Sequence, residues 1–368
     1  MDLQLVWFLL IAVLWTGYLV LEGFDFGVGM LMPFVTRSDA ERRLVINTIA
    51  PVWDGNEVWL IVAGGATFAA FPEWYATLFS GFYMPLLAIL FALIIRGVAF
   101  EYRGKLDEQR WRTRWDVAIF VGSVLPALLW GVAFSNIVRG VPIDADFTST
   151  GSVLDLLGPY ALLGGVTTLM LFLLHGALFL GLRTLGDVRE RAHRTAVRLS
   201  VPTLLVAGTW AVWTQLAHGK GWTWGVVAVA AAGLLAVVVL APRRREGLAF
   251  AGTCLVVVAA VVLIFGSLFP AVMPSSTDPA GTLTIANASS TQYTLTVMTW
   301  VAGFLTPLVL LYQGWTLWVF RRRLSVDHIP AGIGLEVVPR QRGGGGSSPA
   351  TVVREADTDT SSSAPGQA

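Results

Sequence analysis

Among the ionisable residues in or at the edge of stretches otherwise apolar enough to cross a membrane, six stand out: Glu22, Asp25, Asp54, Glu57, Arg96 and Glu101. A charged side chain near the centre of a spanning helix costs roughly 2.5–3.5 kcal/mol on insertion scales, so such residues face a bundle interior, pair with one another, and carry ions or protons. Glu22 and Asp25 are three apart, which puts both on one helix face. The stretch Pro51-Val-Trp-Asp-Gly-Asn-Glu-Val-Trp59 repeats that spacing with Asp54 and Glu57. The chemistry this predicts is proton handling by carboxylates, with Arg96 holding one of them ionised or orienting it.

Depth decides how the acids can combine. At 1.5 Å per residue, Asp25 lies about 15 Å from the end of a first helix closing at Val35, near mid-membrane. If the second helix begins at Leu44, Asp54 lies at a similar depth and the two carboxylates could meet. If it begins only at Pro51, which suits a first helical position, Asp54 and Glu57 are helix-start acids stabilised by the helix dipole. Arg96 is about 10 Å inside the surface reached at Arg103, too deep for water, and is expected to pair with an acid of the first or second span. Glu101 belongs to the surface, either as a functional carboxylate or as the ion-pair partner of Arg103 or Lys105.

Other chemistries find little support. A haem held by two histidines needs two imidazoles inside the membrane, and only His175 lies mid-span; it reads as a residue bonded to a neighbouring helix. Cys254 is the single cysteine and can form neither an internal disulfide nor a metal cluster. No Walker loop, HExxH, nucleophile elbow or dinucleotide fingerprint appears in a supporting context. The 25 Lys and Arg fall in short clusters between apolar runs, leaving no basic stripe for nucleic acid.

The elements that must position the acids are membrane helices. With 55% hydrophobic and 13% charged residues over 368 positions, the chain is too apolar for an ordinary soluble domain. At about 20 residues per crossing, nine spans are expected, at 3–35, 50–72, 76–100, 115–138, 157–182, 199–217, 222–241, 247–271 and 291–320. Basic clusters follow the first, third, fifth, seventh and ninth, against only Arg139 and Lys220 at the other ends. Basic residues are retained on the cytoplasmic side, so the N-terminus is expected outside and the C-terminus inside. No basic residue or cleavage site frames the first span as a removable signal. Short loops imply antiparallel neighbours, and the long connection 270–292 reads as an ordered outer cap. The chain divides into a transmembrane domain, 1–335, and a polar, glycine-rich tail, 336–368, expected to be disordered and cytoplasmic.

Several blocks together resemble a known family. Glu22-Gly-Phe-Asp-Phe-Gly27, Asn47-Thr-Ile-Ala-Pro-Val-Trp-Asp-Gly-Asn56, Gly64-Gly-Ala66, Phe79-Ser-Gly-Phe-Tyr83, Arg96-Gly-Val-Ala-Phe-Glu-Tyr-Arg103, Met273-Pro-Ser-Ser276 and Val297-Met-Thr-Trp300 look like subunit II of a bacterial cytochrome bd quinol oxidase. The resemblance runs in order through residues 1–328. It implies an all-α polytopic protein of nine transmembrane helices, arranged as two four-helix bundles plus one peripheral helix, in the bacterial plasma membrane. It also implies a heterodimer with a subunit I that holds two b haems and haem d and oxidises quinol, with room for small accessory subunits and a structural quinone. No cofactor is implied for this chain alone. By matched position, Asp25 and Asp54 correspond to acids assigned to a cytoplasmic proton path, and Glu101 stands where relatives can carry aspartate. Glu22, Glu57 and Arg96 would support them. A proton-coupled secondary transporter is the alternative, but it expects matching broken helices in both halves, and spans five to eight contain no acids to match Asp25 and Asp54. A purely structural assembly subunit is the third reading.

Overall fold

The computed structural model describes residues 2–330 and the backbone of 336–337 and 353–354, which pair as two short antiparallel strands. The rest of the tail expected to be disordered lies outside the described residues. Helix α1, Leu3–Val35, is capped by Asp2, whose carboxylate accepts from the N–H groups of Gln4 and Leu5. A short helix α2, Asp39–Ile49, starts at Ser38 and stops before Pro51, which has no N–H to continue the ladder. Helix α3 then begins at Trp53 and runs to Ala70. Pro72 opens α4, Pro72–Gly81, and Phe82 separates it from α5, Tyr83–Tyr102. The remaining helices are α6, Gln109–Arg139; α7, Pro159–Arg183; α8, Gly186–His218; α9, Thr223–Leu240; α10, Glu246–Leu268; and α11, Gln292–Val319.

Among the described residues, eight of these helices are long and apolar enough to cross a membrane. The segment expected as the second span is the exception: α3 has 18 residues and spends its first two turns on Asp54, Asn56 and Glu57. The third expected span, 76–100, is broken at Phe82 rather than continuous.

Helix α1 packs on α3 and α6, α5 packs on α6, α6 packs extensively on α7, and α7 to α10 pack on one another. Helix α1 also packs on α7 and α10. The Gly23/Gly27 pair makes this contact possible. A Cβ on Gly27 would run into the Phe172 carbonyl and the Gly176 backbone, and one on Gly23 would meet the Phe172 ring, so the GxxxG works here as a packing device between α1 and α7.

Helix α11 is attached differently. Among its residues only Leu295 and Gln313 are buried, and its ends carry the fastenings. At one end the Trp7 indole N–H donates to the Leu295 carbonyl and to Thr299 Oγ1, 3.0 Å away, while Gln4 Nε2 donates to Ser289 Oγ at 2.6 Å. Past the other end, Leu324 bonds the backbone of Arg183 and Leu185 at 2.8 and 2.9 Å, and Arg323 reaches Glu246 on α10 at 3.1 Å. The connection after α10 forms a hairpin, β1, Ala271–Met273, with β2, Leu283–Thr284. Val141 and Ser276 tie it to the loop after α6, in keeping with an ordered cap.

Candidate functional site

Two acids of α1, Glu22 and Asp25, one of α3, Glu57, and the arginine of α5, Arg96, converge on one buried cluster. Arg96 is fully buried, and its Nη1 donates both to Glu22 Oε1 and, over 3.2 Å, to Glu57 Oε1. The guanidinium also lies over Phe26, 4.8 Å from the ring centre, and over Phe100, at 5.2 Å, where cation–π attraction offsets part of its desolvation. The expected pairing of Arg96 with acids of the first and second spans is therefore present, and it takes one acid from each.

Asp25, one turn along α1 from Glu22, is fully buried and has no cation within ion-pair distance among the described residues. It accepts a 2.7 Å hydrogen bond from Asn56 Nδ2. Asn56 in turn accepts from Gln313 Nε2 of α11 at 2.8 Å. Glu22 Oε2, Asp25 Oδ1, and Arg96 Nε and Nη2 are buried without a hydrogen-bond partner among the described residues. Buried polar atoms are almost always paired, so four unpaired ones in a single cluster set it apart from the rest of the core.

Asp54 is placed differently from the expectation that it meets Asp25. The break at Pro51 starts α3 at Trp53, so Asp54 sits in the first turn, exposed, and Asn56 faces Asp25 instead. This is the helix-start alternative for Asp54. Glu57, one turn further in, has a side chain 21% exposed and bridges from that surface to Arg96. Glu101 is exposed and makes no ion pair among the described residues. Its expected partner Arg103 turns instead to Asp116, with Nε 2.5 Å from Oδ1, and to Asp39 at 2.8 Å. Arg42 and Arg112 extend that network to Asp116 and Asp39.

Sequence reasoning missed Asn56 and Gln313. Asn56 lies within the family-like stretch Asn47–Asn56, but a neutral amide sends no charge signal, and Gln313 lies 257 residues away from it.

His175 reads as structural. Its Nδ1 lies 2.7 Å from Thr253 Oγ1, its Nε2 donates to the Val20 carbonyl at 3.1 Å, and its ring stacks on Phe250 with centres 4.4 Å apart. Both nitrogens are committed, so this imidazole offers no lone pair to an iron; of the other three histidines, His193 lies two turns into α8, His218 is its last residue, and His328 sits in a short turn past α11. The residues present do not fit a bis-histidine haem.

A family model described as cytochrome bd terminal oxidase subunit II matches residues 3–320. Cytochrome bd ubiquinol oxidase subunit 2 of Bacillus subtilis (strain 168) is 44% identical over 333 residues, covering 88% of this chain and 97% of the relative. Cytochrome bd-I ubiquinol oxidase subunit 2 of Escherichia coli (strain K12) is 39% identical over 366 residues, covering 89% and 96%. A chain of the bd oxidase from Geobacillus thermodenitrificans shares the fold, with a TM-score of 0.69 over 87% of this chain and 99% of that one, at 19% sequence identity. With its acid pocket inside the matched region, the chain belongs to the cytochrome bd terminal oxidase subunit II family.

Proposed function

We propose that this chain, as subunit II of a bd-type quinol oxidase, supplies the proton path to the site of oxygen reduction. The observation that carries the reading is Asp25: a fully buried carboxyl with no cation in ion-pair distance among the described residues, hydrogen-bonded through Asn56 and flanked by the Glu22–Arg96–Glu57 clamp. Reduction of oxygen to water consumes protons, and a buried reaction site needs titratable groups to deliver them. Glu101 and Asp54 are the exposed collectors, Glu57 is half-withdrawn, and Asp25 and Glu22 are the buried acceptors. The clamp keeps opposite charges close, so a proton arriving at Glu57 perturbs Glu22 through the shared guanidinium.

The membrane arrangement belongs to the same proposal. Nine crossings, with the N-terminus outside and the C-terminus in the cytoplasm of a bacterial plasma membrane, are supported by the clusters of basic residues at one end of the bundle. Helices α1, α3, α5 and α6, then α7 to α10, would be the two bundles, and α11 the peripheral helix. The haems, two of type b and one of type d, would reside on subunit I, where they supply the electron transfer from quinol to oxygen. The engaged nitrogens of His175 support that division. Lipid, a structural quinone and accessory subunits would complete the assembly.

Asp25→Asn tests the path, because the amide keeps size and hydrogen bonding but carries no proton. In a purified complex with its full haem complement, quinol-driven oxygen consumption is expected to fall at least tenfold, about 1.4 kcal/mol in barrier. Normal turnover and normal proton uptake in that complex would remove Asp25 from the path.

A further inference from the structure

Gln313 is an unexpected residue on α11. The helix is exposed along most of its length, yet it buries this one primary amide, 8% exposed, about 9 Å from its end at Val319. A polar side chain inside an apolar helix is costly and is retained where a partner repays it. The partner here is Asn56: Gln313 Nε2 donates to Asn56 Oδ1 at 2.8 Å, and Asn56 Nδ2 donates to Asp25 Oδ2 at 2.7 Å.

The two ends of a carboxamide are chemically opposite, one an acceptor and the other a double donor. With the Asn56 oxygen occupied by Gln313, the Asn56 NH2 must face Asp25. Without Gln313, the amide could turn and set its oxygen against the carboxyl, where two acceptors repel unless a proton lies between them. Gly55, next to Asn56, has Gln313 Oε1 3.5 Å from where a Cβ would stand, so the α3 backbone leaves room for this side chain to lie alongside.

We infer that Gln313 is a positioning residue for Asp25: acting through Asn56, it fixes a hydrogen-bond donor on the acid and so sets the ease of each proton transfer there. The inference rests on Asp25 lying in the proton path. It gives the peripheral helix a part in the chemistry beyond closing the bundle.

The test uses the intact, purified oxidase complex. Gln313→Met, close in volume and apolar, is expected to lower kcat three- to tenfold, with haem content and the KM for quinol unchanged and with a larger D2O effect on kcat. A purely structural role would not raise the isotope effect. Asn56→Leu should produce a fall of the same kind, and Asn56→Leu/Gln313→Met should be no slower than Asn56→Leu alone, since the second residue acts only through the first. Additive losses, or an unchanged isotope effect, would overturn the inference. If Asp25→Asn turns over normally, the path reading itself fails; if Asp25→Asn is inactive while Gln313→Met behaves as wild type, only the role of Gln313 fails. Should Gln313→Met lose its haem, Gln313→Asn, one methylene too short to reach, must assemble and reproduce the kinetic signature. Loss of the complex in both variants would make Gln313 an anchor of α11 and overturn its positioning role.

Discussion

Replacing Arg96 by methionine removes the cation that, among the described residues, faces a cluster of three carboxyl groups. The side chains of Arg96 and Glu22 are both fully buried, whereas that of Glu57 is 21% exposed. Removing one partner of a buried ion pair typically costs about 3–5 kcal/mol, because the other charge remains without compensation. That corresponds to roughly two to four orders of magnitude in an assembly or folding equilibrium, at about 1.4 kcal/mol per decade. Arg96→Met is therefore expected to reduce sharply the yield of haem-replete complex and its thermal stability, read by size-exclusion profiles after graded heating. Burial then predicts which second change restores it. Glu22→Gln removes the charge that has no route to water, so Arg96→Met/Glu22→Gln should recover most of the lost stability. Glu57→Gln should recover much less, because Glu57 can turn toward solvent. Wild-type stability in Arg96→Met, or equal rescue by the two glutamines, would refute the argument that the guanidinium compensates a dry carboxylate.

Three further outcomes follow from the packing and the surface charges. Gly27→Val should destabilise the complex by about 3 kcal/mol or more, since overpacking against backbone exceeds the usual 1–3 kcal/mol; Gly208→Ala, with nothing within 4 Å of the added carbon, should be neutral or slightly stabilising in the same melting assay. His175→Ala should leave the haem spectrum of the assembled oxidase unchanged, and loss of a haem band would assign that imidazole to iron. At Glu41, burial works against the charge, but the Arg37 N–H at 2.5 Å and the Arg191 guanidinium at 2.6 Å outweigh it and hold the carboxyl below its usual range. A depressed carboxylate contributes stability above its unfolded pKa and loses it as pH falls through the folded one; the acid limb of melting temperature against pH should accordingly flatten in Glu41→Gln.

Charge was the legible part of this molecule. Glu22, Asp25, Glu57 and Arg96 stood out because ionised groups are rare in apolar runs, and helix rise was enough to bring Arg96 level with its partners. Asp54 was harder, since its depth hinged on whether Pro51 interrupts a long helix or opens a new one; the break at 50–52 decided for the surface. The interruption at Phe82 carried no comparable signal, because the residues around it are as apolar as a continuous span. Asn56 and Gln313 were invisible for a different reason. Neutral amides are unremarkable in composition, and their pairing depends on how the last long helix docks against α3, which no local pattern specifies.

The fastenings of α11 have a consequence for biogenesis. One end of this helix is held by Gln4 and Trp7, near the start of the chain, and the stretch beyond its other end by Glu246 and the backbone of 183–185. A ribosome delivers those partners long before it delivers α11, so α1 must wait in the membrane with its indole N–H and amide unsatisfied until translation is nearly done. Loop closure over such a separation is slow relative to local helix formation. The arrival of α11 thus acts as a clasp that joins early and late parts of the chain, and it brings Gln313 to Asn56 in the same movement. A nascent chain truncated before residue 292 would insert most of its helices and still lack the amide that orients its central acid.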